Sequence, residues 1–247
     1  RTTTNPQAGV WEVAVEVRRT SDNVAVPYTL TTSILGASIT PNPDVIPSAA
    51  PGVPVARSYT ATNNLGPFTG RVATTGALGS AKISTPNIAN LAQQVFDVTV
   101  TAGSTSLRAT IGGTSDKAAD LDLFVYRPTP SGYELAGQAA DGDSEESVTI
   151  SVTTAATYTI LVDGFAVPAG STTYNYVDVF TNASLGTVTV TDANAVRDSG
   201  AVWTAPATVT AGSVPTEGRV LLGSVRVLTN SGVQVGSGDV IVQTVTP

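Results

Sequence analysis

The stretch DLDLFVYRPTPSG, residues 120–132, decides the fold. Side chains on a strand alternate between faces, so Leu121, Leu123 and Val125 share one face while Asp120, Asp122, Phe124 and Tyr126 share the other. An apolar inner face with a mixed outer face specifies a half-buried β-strand, and RPTPSG closes it with turn-forming proline and glycine. Outward from this strand the same pattern repeats along the chain: short runs of Val, Thr, Ile and Tyr, punctuated at intervals of about 8–12 residues by Gly, Pro, Asn or Asp. The fold class this specifies is all-β, built as tandem β-sandwiches. IANLAQQVF, residues 88–96, is the best helical candidate, of a turn or two.

Composition agrees. The chain has 247 residues, 41% of them hydrophobic, enough for substantial cores, and its apolar content is mostly Val, Ala, Ile and Leu interleaved with Thr and Ser. Acids outnumber bases 19 to 12, for a net charge of −7. A phosphate backbone would be repelled, and no basic patch offsets this, so no nucleic-acid partner is expected. No uninterrupted apolar run of about 18 residues is present to span a bilayer. An acidic, lysine-poor, threonine-rich chain fits a secreted, extracellular bacterial protein.

Missing residue types narrow the chemistry further. With neither histidine nor cysteine, the chain cannot form a Ser-His-Asp or Cys-His nucleophilic centre, a two-histidine or thiolate zinc site, or a disulfide framework. Paired carboxylates of the glycosidase kind and a Ser-Lys arrangement remain chemically open. Neither has a supporting motif, and Ser115 and Lys117 in GGTSDKAAD read as parts of a polar turn. No catalytic residue is assigned, and a binding or structural role leads.

Along the chain, residues 1–38 read as the last two strands of a truncated β-sandwich, which implies that the chain begins inside a domain. AGVWEVAVEVRRTSDNVAVPYTL from Ala8 echoes AATYTILVDGFAVPAGSTTYNY from Ala155. Residues 39–92 form a proline-rich connector with short strands, because ITPNPDVIPSAAPGVP favours an extended path. Residues 93–182 supply about seven strands, a complete two-sheet sandwich. Residues 183–247 supply a second, immunoglobulin-like or fibronectin-like sandwich, with strands from 55–75 as candidates to complete it.

Within the central block, SDKAADLDLFVYRP, the acidic loop DGDSEESV and the strand AATYTILVDGF resemble the bacterial pre-peptidase C-terminal domain, over about residues 93–182. The segment GVWEVAVEVRRTS and the closing sandwich resemble the C-terminal regions of secreted subtilisin-like serine proteases. One departure is Ala156, where that family usually has glycine; Gly9 keeps it in the first copy. The resemblance implies a jelly-roll-like central sandwich. It also implies a non-catalytic accessory region of a secreted subtilisin-like protease, acting in stability, secretion or substrate binding. The implied partners are a protein substrate and the parent protease's catalytic domain, and related collagenase modules take calcium. The alternative is an adhesion or carbohydrate- or protein-binding module of a bacterial surface protein, whose partner is a cell-surface polymer.

The acids are concentrated. Asp116, Asp120, Asp122, Glu134, Asp141, Asp143, Glu145 and Glu146 make eight of the 19, all between residues 116 and 146. Asp120 and Asp122 share a strand face with Cα atoms about 6.5–7 Å apart, close enough to approach one hard cation. Calcium takes about six to eight oxygens, so the candidate metal set is Asp116, Asp120, Asp122, Asp141 and Asp143, with Glu145 available. The competing readings are a solvated acidic face that keeps a strand soluble, or carboxylates capping turns. Tyr126, Tyr133, Tyr158, Phe165, Tyr174 and Tyr176 are candidates for either a stacking surface or core pairs, and Trp11 and Trp203 read as core. Asn182-Ala-Ser184 fits a glycosylation sequon without functional weight in a bacterial protein.

Overall fold

A computed structural model describes residues 36–246. The strands expected within residues 1–35, with Trp11 and the first copy of the echo, lie outside the described residues. In chain order the first part holds β1 (Ala37–Thr40), β2 (Asp44–Ile46), β3 (Pro54–Asn63), β4 (Phe68–Thr74), β5 (Gly79–Ser84) and β6 (Asn87–Ala89). The middle holds β7 (Gln93–Val100), β8 (Ser104–Gly112), β9 (Asp120–Thr129), β10 (Gly132–Ala139), β11 (Ser147–Ser151), β12 (Ala156–Ala166), β13 (Ser171–Thr173) and β14 (Asn175–Asn182). The last part holds β15 (Gly186–Val190), β16 (Ala195–Arg197), β17 (Val202–Ala211), β18 (Val220–Thr229) and β19 (Gln234–Val242). The fold is all-β, with sheets packed as sandwiches. No helix among the described residues is long and apolar enough to cross a membrane.

The longest sheet runs β11-β8-β14-β5-β18-β19-β2, with β4 pairing both β18 and β16. Over one half of it lies the sheet β10-β9-β12-β7, and over the other half the sheet β1-β3-β17-β15. β5 is the junction: it pairs with β14 on one side and β18 on the other. The stretch 39–92, read from sequence as connector and short strands, thus contains β2–β6, and β3 pairs with β17 while β4 pairs with β16 and β18.

Alternation does the sorting. Leu121, Leu123 and Val125 of β9 are fully buried beside Leu107, Ala109 and Ile111 of β8 and Val148 and Ile150 of β11, while the intervening β9 residues stay partly exposed. Burying each such side chain contributes about 1.5–3 kcal/mol. Around the second sandwich, Tyr59, Ala205, Val225 and Val240 play the same part.

Residues 88–96 do not form the expected helical turns. Ile88 is buried in β6, Leu91 takes a left-handed φ of 60° and is exposed, and β7 has begun by Gln93. The Asn90 and Leu91 N–H groups donate to the carbonyls of Gly170 and Gly164, at 3.0 and 2.8 Å. Partners in distant segments thereby replace the local i to i−4 bonds a helix would need, and tertiary pairing overrides propensity.

Three buried or nearly buried carboxylates tie strands together, Asp44 and Asp192 across two sheets and Asp178 within one. Asp44 on β2 accepts from Arg57 Nε and the Tyr59 hydroxyl, both at 2.8 Å. Asp178 on β14 pairs with Arg219, whose Nε also donates to Ser80 Oγ at 2.8 Å. Asp192 accepts from the Val72 N–H at 2.8 Å, from Trp203 Nε1 at 3.0 Å and from Arg197, which stacks over the Trp203 ring.

Candidate functional site at the head of β9

The acidic loop between β10 and β11 is pinned to the start of β9 by one serine. Ser144, buried, donates to the Ala119 carbonyl at 2.7 Å and accepts from the Leu121 N–H at 3.1 Å. Glu146 exchanges backbone hydrogen bonds with Ile111 at 2.9 and 3.2 Å, which turns its side chain inward in phase with Val148 and Ile150. Between these anchors the loop folds through its own carboxylates. The Asp141 N–H donates to Glu146 Oε1 at 3.1 Å, the Asp143 N–H to Asp141 Oδ1 at 3.0 Å, and the Glu145 N–H to Asp143 Oδ1 at 2.8 Å.

The result gathers Asp141, Asp143 and Glu146, each with a carboxylate oxygen within 4.8 Å of the others. Glu146 is 5% exposed, an unusual burial for a carboxylate. Burial first, then the neighbouring acids, lifts Glu146 above the ordinary carboxylate range, although the bond from the Asp141 N–H opposes this. Asp120 is raised by burial and by the charges of Asp141 and Asp143, and Asp122 by burial and by Asp120, Asp163 and Asp141. Asp122 also sits directly across from Asp163 on β12, a like-charge pair that costs stability when nothing cationic lies near. Asp120 Oδ1 is buried with no hydrogen-bond donor.

Of the sequence candidates, Asp120, Asp122, Asp141 and Asp143 therefore form one electrostatic group. Asp116 does something else: its oxygens accept from the Ala118 N–H at 3.0 Å and the Ala169 N–H at 2.9 Å, closing the turn before β9. Glu145 caps the Gly112–Gly113 corner, accepting from the Gly113 N–H at 2.8 Å. A Cβ on Gly112 would stand 2.3 Å from Glu145 Oε2, so a side chain there would displace the Glu145 carboxylate from its cap. Glu146 is the member left out of the candidate metal set. Strand parity from Val148 and Ile150 points to it.

The donor set suits a hard cation: all oxygens, several carboxylates, and an orphaned buried oxygen at its edge. Asp141, Asp143 and Glu146 would hold the ion, with Asp120 and Asp122 supplying further charge. Its chemistry there would be structural, cross-linking the loop to β9.

The other candidates separate cleanly. Tyr158, Tyr174 and Tyr176 are core, Tyr176 stacking on Phe96 with ring centroids 3.9 Å apart. Phe165 and Tyr133 are exposed, and Tyr126 is half-buried. Lys117 Nζ donates to the Thr114 carbonyl at 2.5 Å, and Ser115 Oγ accepts from the Thr173 N–H at 3.0 Å, so both serve the turn. Asn182 is 4% exposed; it donates to the Ala102 carbonyl at 2.9 Å and accepts from Ser184 N–H and Oγ at 3.0 and 2.8 Å. Its amide is committed to capping, which removes it as a glycan acceptor.

Residues 93–164, from β7 to near the end of β12, match the family model of the bacterial pre-peptidase C-terminal domain. No curated protein matches the chain. Similar solved structures include a periplasmic inhibitor of g-type lysozyme from Aeromonas hydrophila, PliG, at 16% identity over 41% of this chain and 87% of that one, with a TM-score of 0.31. Another is the seventh PapD-like domain of human CEP192, at 8% identity over 93% of this chain and 99% of that one, with a TM-score of 0.27. Likenesses this distant carry no inference about function.

Proposed function

We propose that this chain is a non-catalytic accessory region of a secreted subtilisin-like serine protease, acting in stability, secretion or substrate binding, with the catalytic domain elsewhere in the protein. The observation that carries the reading is the pre-peptidase C-terminal match over residues 93–164, which falls on the sandwich built from β7 to β12. The lack of histidine supports it, since the chain cannot supply a serine-protease triad itself. The same reading divides the described residues into a central jelly-roll-like sandwich and a second, immunoglobulin-like one completed by β3 and β4. The complete reading frame tests it: a peptidase domain with Asp, His and Ser in triad arrangement is expected, and a frame of sandwich repeats ending in a cell-wall anchor would replace this reading with that of an adhesion module.

The acidic site belongs to the same proposal, as a calcium site of Asp141, Asp143 and Glu146 with Asp120 and Asp122. Binding to the folded state alone raises stability by mass action. The melting temperature should rise on adding calcium to chelator-treated protein, and the rise should vanish in Asp143→Asn; an unchanged melting temperature on calcium addition would remove the ion from the account.

A further inference from the structure

The outer face of the sheet β10-β9-β12-β7 points away from the core and, among the described residues, no other sheet covers it. Strand register arranges its side chains in rows. Val95, Leu161 and Phe124 lie side by side across three strands, and the next row carries Tyr126 opposite Leu135, with Tyr133 beyond. Val95 is 59% exposed, Leu135 47% and Tyr133 58%. Adjacent strands lie about 4.8 Å apart and residues two apart on a strand about 6.5–7 Å, so the rows form a contiguous apolar strip bordered by polar positions. A strip of contiguous apolar side chains on an otherwise acidic, threonine-rich surface marks an interaction site.

Charge on the same face selects the partner. Outside the acidic site, its outward positions include Asp97 and Asp163 and no lysine or arginine. Asp97 lies beside the apolar strip, and Asp163 closes one end. A second copy of this face would be repelled, and an acidic partner likewise. We infer that this face docks an extended, cationic polypeptide, apolar side chains lying over Val95, Leu161 and Phe124 and lysine or arginine reaching the flanking aspartates. Such a partner gains apolar burial at the centre and charge complementarity at the rim, which sets specificity and salt dependence.

The inference deepens the proposed role in substrate binding by naming the class of substrate, and it stands or falls on this chain alone. Fluorescence anisotropy of the full chain with a labelled peptide alternating lysine and valine, and with its glutamate counterpart, tests it. The lysine peptide should bind roughly tenfold or more tightly than the glutamate one, and weaken as salt rises. The double variant Val95→Thr/Leu135→Thr should weaken binding by a similar factor with unchanged melting temperature, and Asp97→Asn should flatten the salt dependence. Val233→Thr, an exposed apolar position in the second half of the chain, should change nothing. Equal binding of the two peptides, binding of neither, an unaffected double variant, or capture of insoluble cellulose or chitin through this face instead of the peptide would overturn the inference. Such a result would leave the association with a protease standing, and a missing peptidase domain would leave peptide binding standing.

Discussion

Asp44 carries more of the structure than its place on a three-residue strand suggests. It is buried, and it holds Arg57 and the Tyr59 hydroxyl, whose proton is retained to higher pH first by burial and then by Asp44. Asp44→Ala leaves a cation and a hydroxyl unpaired and should destabilise the fold by about 3–5 kcal/mol, whereas Tyr59→Phe should cost only about 1 kcal/mol; urea unfolding measures both. The acids at the head of β9 behave oppositely. Asp120, Asp122 and Glu146 are raised in the folded state, chiefly by burial. A carboxyl that holds its proton more tightly when folded adds stability below its unfolded value, near pH 4, and that stability is lost as pH rises through the raised folded value. Chelated protein should therefore lose melting temperature as pH rises from about 4 towards 7, and Glu146→Gln should flatten the slope. That Asp120 and Asp122 share the outer face of β9 was legible from alternation. Asp116 was not, because the Ala169 N–H that claims its second oxygen comes from a segment 53 residues away.

Among the elements, β9 was the most legible, since three leucine and valine positions with period two admit one register with a buried face. Residues 88–96 were the least, because the bonds that shape them come from Gly164 and Gly170. Gly164 is the hinge of that arrangement: its N–H donates to the Ala92 carbonyl at 2.9 Å, and a Cβ there would stand 2.6 Å from the Ala89 carbonyl oxygen. Gly164→Ala must push that backbone aside and should destabilise by about 1–3 kcal/mol in thermal or urea unfolding, with the loop at residues 90–92 gaining amide exchange first. Gly66, whose Cβ would meet open space, is the control and should tolerate alanine.

Across the whole molecule, the all-β class was legible from alternation, but the joining of the sheets was not. β5 lies in the proline-rich part of the sequence, yet it pairs with β14 and β18 and carries one sheet through both halves. Pairing across such separations leaves no local periodicity to read. The most direct measurement of the proposed accessory role compares the protein encoded by the complete reading frame with a version lacking these 247 residues, on a short chromogenic peptide and on an intact protein substrate. The account predicts that peptide hydrolysis survives the deletion while intact-substrate turnover or heat resistance falls. Hydrolysis by this chain on its own, lost on substituting Asp120 or Asp122, would contradict it.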